Sequence, residues 1–133
     1  MYKTINTIFI LILFIGCNQQ NKKVSLDDPM ETGREFIDAS LKGNYDLAEK
    51  YMLSDSTNLH YLDRLKDFYK KMDPSEKDGL KNANIIINPS EDVTDSTTII
   101  NYTNTYKNKP SKIKLIRRNK EWKVDFKYTF SGE

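Results

Sequence analysis

The chain has one cysteine, one histidine and one tryptophan in 133 residues, with five glycines and four prolines to punctuate it. The single thiol, Cys17, excludes an intrachain disulfide and a cysteine-ligated zinc site. The single imidazole, His60, leaves a metal only scattered carboxylates as further ligands, so neither a metal centre nor a cofactor is expected. Charge of one sign is also missing: 21 basic side chains face 19 acidic ones, which gives no reason to expect a nucleic-acid partner. The longest apolar run, Ile8 to Ile15, falls far short of the roughly 20 residues that span a bilayer.

That run has the form of a leader. Lys3 is the only charge before Cys17, the core IFILILFI follows, and polar NQQNKK comes after the cysteine, which is a signal-peptide profile. The segment LFIGC resembles the lipobox of bacterial lipoproteins. The resemblance implies cleavage between Gly16 and Cys17, diacylglycerol on the Cys17 sulfur and an acylated new N-terminus. One acyl chain holds a protein to a membrane only marginally, whereas two or three make a durable anchor. The expected organisation is a cleaved signal peptide over 1–16, a lipidated N-terminus and flexible tether over 17–27, and one folded domain over 28–133. The expected location is the bacterial cell envelope. By analogy with enteric bacteria, Asn18 instead of aspartate after the cysteine favours the outer membrane.

Charge within the expected domain is uneven. From Lys107 to Lys127, nine basic side chains stand against Glu121 and Asp125, a local charge of +7. Such a segment can face anionic headgroups. The simpler reading, and the one preferred, is that strands carry such lysines at solvent-facing and edge positions to discourage edge pairing.

Asp28-Pro29 reads as a helix start, with Asp28 as cap, Pro29 at the first helical position and Glu31 completing a capping box. Met30, Gly33, Phe36, Ile37 and Leu41 then recur at helical spacing, and Gly43 is placed to end the helix. Asn44 can cap a second short helix over 45–52. A third is predicted from about Asn58 to Met72, on the stripe Leu62, Leu65, Phe68, Tyr69 and Met72. Pro74 and Gly79 read as its end and a connecting turn.

After Asn82 the period changes to two. Four strands are predicted, over about 83–88, 97–106, 111–118 and 121–130. A two-residue loop at Asn119-Lys120 pairs Arg118 with Glu121, Arg117 with Trp122, Leu115 with Val124, Lys114 with Asp125 and Ile113 with Phe126. A slip by one residue destroys this matching of apolar with apolar and of opposite charges. The same alternation puts Tyr102, Asn104, Tyr106, Arg117, Trp122 and Tyr128 on the apolar face and turns Asp125 outward. Ile99 and Ile116 interrupt the charged face, which leaves room for a homodimer through the sheet.

Three helices before a curved antiparallel sheet, with GNYDLAEKY in the helical hairpin and EWKVDF in the last strand, resemble the nuclear transport factor 2-like superfamily. Within it, the resemblance is to small bacterial lipoproteins labelled lumazine-binding or domains of unknown function. It rests on Phe36, Ala39, Gly43, Asn44, Tyr45, Ala48 and Tyr51, then Trp122, Lys123, Val124 and Asp125. It implies an α+β cone, with helices closing over the concave sheet face and a pocket at the open end.

Enzymes of that shape place a carboxylate or histidine among tyrosines in the pocket. Here the expected concave face offers Tyr102, Asn104, Tyr106, Arg117, Trp122 and Tyr128 as candidate ligand contacts, with no acid. Arg117 can receive a carboxylate or phosphate, or stack on Trp122 and reach solvent. The tyrosines suit ligand stacking and suit core packing with a satisfied hydroxyl. His60 lacks a sequence-evident acid to orient it, and no catalytic residue is assigned. The expected function is non-catalytic binding of a small ligand or an envelope protein. The alternatives are an isomerase- or dehydratase-like enzyme and a structural or protective protein that uses the opposite sheet face.

Overall fold

A computed structural model describes residues 25–131; Gly16 and Cys17, with the expected cleavage and lipidation, lie outside the described residues. The fold is α+β. Helices α1 (Pro29–Leu41), α2 (Tyr45–Lys50), α3 (Ser56–Lys71) and α4 (Pro74–Lys81) precede strands β1 (Ile85–Ile87), β2 (Glu91–Thr94), β3 (Thr97–Asn104), β4 (Ser111–Arg118) and β5 (Glu121–Asp125), and a 3-10 helix covers Phe126–Phe130. Among the described residues no helix is long and apolar enough to cross a membrane.

Local chemistry sets the helix ends. Asp28 accepts the Met30 and Glu31 backbone N–H groups, with Pro29 opening α1, so two groups that a helix start leaves unpaired are satisfied. At the other end Asn44 N–H bonds Ala39 C=O at 2.8 Å and Gly43 N–H bonds Ser40 C=O at 3.2 Å. Gly43, with φ +73°, supplies the left-handed residue this double closure requires. Asn44 then caps α2 through Leu47 N–H, so the chain reverses direction within two residues.

The curved antiparallel sheet runs β1-β3-β4-β5, and β2 also pairs β3. Strands β1 and β2 share one edge of β3, in registers Ile87↔Tyr102 and Glu91↔Ile99. They act as one edge strand interrupted around Pro89, whose carbonyl accepts from the Asn101 side chain. The expected hairpin register holds for Arg118↔Glu121, Arg117↔Trp122, Leu115↔Val124 and Lys114↔Asp125. Its loop carries φ of 52° at Asn119 and 68° at Lys120, the two positive values a tight hairpin turn demands.

The core lies between α1 and one sheet face. Phe36 and Ile37 of α1, at 2% exposure, meet Ile100, Ile113, Leu115 and Val124 at 0%. A Cβ at Gly33 would stand 2.6 Å from Ile100 Cδ1, so the absent side chain is what lets α1 approach. The β5 edge is closed by backbone: Val124 exchanges hydrogen bonds with Tyr51 C=O and Leu53 N–H, and Trp122 N–H donates to Leu26 C=O at 2.8 Å. Leu26, read from the sequence as tether, therefore packs on the core.

Four sequence expectations are corrected. The stretch read as a turn after Pro74 is helix α4, capped by Asp73 through Glu76 N–H. The sheet has five strands instead of four, because the short, fully exposed β2 forms a hairpin with β3. The last strand ends at Asp125, and Phe126–Phe130 coils as a 3-10 helix, so Phe126 leaves the ladder with Ile113. Asp125, expected to face outward, is 6% exposed, because Asn58 Nδ2 donates to it at 3.1 Å and Lys127 Nζ lies 2.7 Å away.

Candidate functional site

An apolar cavity of about 220 Å³ lies where α1, α2, α3, α4 and the 3-10 helix meet the end of the sheet. Phe36, Ile37 and Leu41 come from α1, Leu65, Phe68 and Tyr69 from α3, and Phe126 and Phe130 from the 3-10 helix. The exit of β5 into a helical turn is what brings the last two there. Phe126 meets Phe36 edge-on at 5.2 Å between ring centroids, and Phe130 stacks on Tyr61 at 4.6 Å with 9° between planes. Such pairs contribute about 0.5–1.5 kcal/mol each beyond area burial. Phe68 and Phe130 nevertheless stay 63% and 48% exposed, and form an aromatic rim.

Of the six ligand contacts expected from the sequence, Tyr102 alone lines this cavity. Burial raises its phenol pKa, and Ser111 opposes the rise. Asn104 is buried, but its side-chain oxygen accepts the Tyr106 and Lys107 backbone N–H groups at 3.1 and 2.9 Å, so it is committed to the turn after β3. Tyr106 lies over Gly79 of α4, where an added Cβ would run into its ring. Arg117 is exposed at the end of the sheet. Trp122 is 6% exposed within the core. Tyr128, expected on the covered face, sits between the Lys112 and Lys114 ammonium groups, 5.3 and 5.5 Å from its ring centroid. Those lysines flank Ile113 in β4 and so point to the opposite face; the 3-10 turn carries Tyr128 round to them.

Lining residues that the sequence did not mark as ligand contacts include Tyr45, Tyr69, Leu80, Lys107 and Thr129. The signal for the two tyrosines was present, since both fall on inward helical positions, but position alone reads as packing. Both hydroxyls are buried without a hydrogen-bond partner, which costs about 1–3 kcal/mol per group. The rings meet edge-on at 5.8 Å. Burial first, and Tyr69 second, push the Tyr45 pKa well above its ordinary value, so Tyr45 stays a neutral donor through any physiological pH. Lys107, the one charged residue in the lining, pairs with Glu76 at 3.3 Å. His60 is exposed, with its ring 6.1 Å from that of Tyr61.

The lining thus combines apolar bodies, neutral hydroxyls and one ammonium. It contains no carboxylate or imidazole among the described residues, and no group of acidic, histidine or cysteine side chains among them could hold a metal. Enclosure of an apolar group is what the arrangement does well. No family model matches the chain, and no curated protein matches it.

Proposed function

We propose that the protein is a lipoprotein anchored in the cell envelope through Cys17, and that its domain binds a small, mainly apolar ligand in the cavity beneath α1 and α3 without transforming it. The observation that carries this reading is the cavity itself: about 220 Å³ framed by four helices and the 3-10 turn, with Tyr102 in its wall. An apolar cavity of ~150 Å³ accommodates a benzene, so this space suits a short alkyl chain or a single ring. The four helices and curved antiparallel sheet are compatible with the nuclear transport factor 2-like cone, which is the finer fold we assign to it. The leader profile and LFIGC motif support the anchor and the envelope location.

The test uses 1-octanol as probe and full-length protein in phosphatidylcholine nanodiscs, with empty discs as blank. Saturable shifts of the Met72 methyl and Tyr102 ring NMR signals are expected, and a Ser40→Phe variant that fills the cavity should abolish them. Unchanged signals at these residues would sink the binding reading. Mass spectrometry of the mature chain checks the anchor: a diacylated N-terminus at Cys17 is expected, and an unmodified Cys17 would refute it.

A further inference from the structure

Tyr45 and Tyr69 have a second side. Both also line an open cleft of about 450 Å³, together with Gly43 and five lysines. Lys42 follows α1, Lys66 and Lys70 come from α3, and Lys77 and Lys81 come from α4. Three helical segments thus bring five ammonium groups around one depression. The acids paired with them lie outside its lining. Lys42 meets Asp38 at 2.8 Å, Lys70 meets Asp67 at 3.2 Å, and Lys66 reaches Asp46 only at 4.0 Å, where Asp46 is 94% exposed. Exposed pairs of this kind exchange partners at little cost. Lys77 donates to the Lys70 carbonyl and lies 5.7 Å from the Tyr69 ring centroid. Lys81 has no acidic partner among the described residues.

Lysines at helix C-termini complement the helix dipole, which accounts for Lys42, Lys70 and Lys81. It does not account for Lys66 and Lys77, nor for hydroxyl donors left unused at the same place. The Tyr69 hydroxyl edge rests on Gly43: a Cβ there would stand 2.5 Å from Cε1 and 3.0 Å from the hydroxyl oxygen. The unpartnered Tyr69 O–H is therefore buried close to Gly43, and the unpartnered Tyr45 O–H belongs to a second residue of the lining, only 6% exposed. Buried donors beneath converging cations are complementary to a group with several acceptor oxygens and negative charge.

We propose that this cleft binds a phosphomonoester, with Lys66, Lys77 and Lys81 supplying charge and the Tyr69 hydroxyl donating to a phosphate oxygen. The site shares Tyr45 and Tyr69 with the apolar cavity but does not rest on its occupancy. The phosphate can be that of a free phosphoester or of a lipid headgroup, since the recognised chemistry is the same.

The experiment titrates inorganic phosphate and glycerol 3-phosphate into full-length protein in phosphatidylcholine nanodiscs and follows the backbone amide signal of Gly43, which lines the cleft in every variant, with chloride at matched ionic strength as reference. Saturable shifts absent with chloride are expected. Binding should weaken about tenfold or more in Lys66→Gln/Lys81→Gln, weaken in Tyr69→Phe, and stay unchanged in Lys109→Gln/Lys114→Gln. Competition from phosphatidic acid placed in the discs supports the site with a lipid source, and its absence supports the site with a free phosphoester. Shifts reproduced by chloride, equal loss in both lysine pairs, or full affinity in both Lys66→Gln/Lys81→Gln and Tyr69→Phe overturns the proposal, whatever octanol does in the cavity.

Discussion

The Asn58 carboxamide oxygen accepts the Lys127 backbone N–H at 2.7 Å, so a side chain in the first turn of α3 takes the place of a strand neighbour just where β5 ends. Its amide nitrogen donates to Asp55 at 2.6 Å and to Asp125 at 3.1 Å. The Lys127 ammonium closes the group on the same two carboxylates, at 3.2 and 2.7 Å. Helix start, strand end and 3-10 turn are thereby joined by one 0%-exposed side chain.

Replacing Asn58 with leucine keeps similar bulk but strands the Lys127 N–H and removes a donor from buried Asp125. A loss on the order of 3 kcal/mol is expected, since each buried polar group left unpaired costs about 1–3 kcal/mol. Urea unfolding with an unchanged slope and a lower midpoint checks it; a midpoint equal to that of the parent would mean that water restores the network.

The same cluster sets a pH dependence. Asp55 is held below its ordinary 3.8, first by the Asn58 backbone N–H and then by Lys127 and the Asn58 side chain against the opposing effect of burial. A depressed carboxyl contributes stability that is complete above its unfolded pKa and is lost as pH falls through the folded value. Lys127 is raised above 10.5, chiefly by its hydrogen bond to Asp125, so its contribution is complete below 10.5 and is lost as pH rises through the higher folded value. Thermal unfolding should show a plateau with a decline that begins below about pH 4. Asp55→Asn should make that acid limb shallower, and an identical limb would remove Asp55 from the account.

Lys120 occupies the left-handed region in the β4–β5 turn, φ 68°, at a cost of roughly 1–2 kcal/mol for a residue with a Cβ. Lys120→Gly creates the Asn-Gly pair this turn favours. A gain of about 1 kcal/mol is expected, near 4–8 °C in midpoint for a domain of about this size. A fall in midpoint would show that the lysine side chain contributes more than its backbone costs.

Where local chemistry decides, the sequence is readable. Asp28-Pro29, Gly43-Asn44 and the charge matching across Asn119-Lys120 each name their structure within a few residues. Asp73-Pro74, with Glu76 following, repeats the Asp28-Pro29-Glu31 signal and was there to read as a helix start. The end of β5 was not readable in the same way. Trp122, Val124, Phe126, Tyr128 and Phe130 alternate perfectly, yet Phe126 and Phe130 are also four apart, a spacing that suits a helical turn equally. The choice between the two periods is made by Asn58, 69 residues from Lys127, and no window along the chain contains both. The error propagates to the candidate site: Tyr128 moves to the lysine face, Asp125 is covered by Asn58 and Lys127, and the cavity comes to be lined mostly from the helices instead of from the sheet. Tyr45 and Tyr69 were visible as inward residues; only the geometry shows that their hydroxyls lack partners.

The hydrogen bond from Trp122 to the Leu26 carbonyl also fixes where mechanical load enters the domain. Tension on the chain ahead of Leu26 reaches the sheet at the margin of β5 before it reaches the Asp28 cap of α1. Releasing that bond and the packing of Leu26 would free residues 25–27 and leave the hydrogen bonds between Asp28 and the start of α1 as they are.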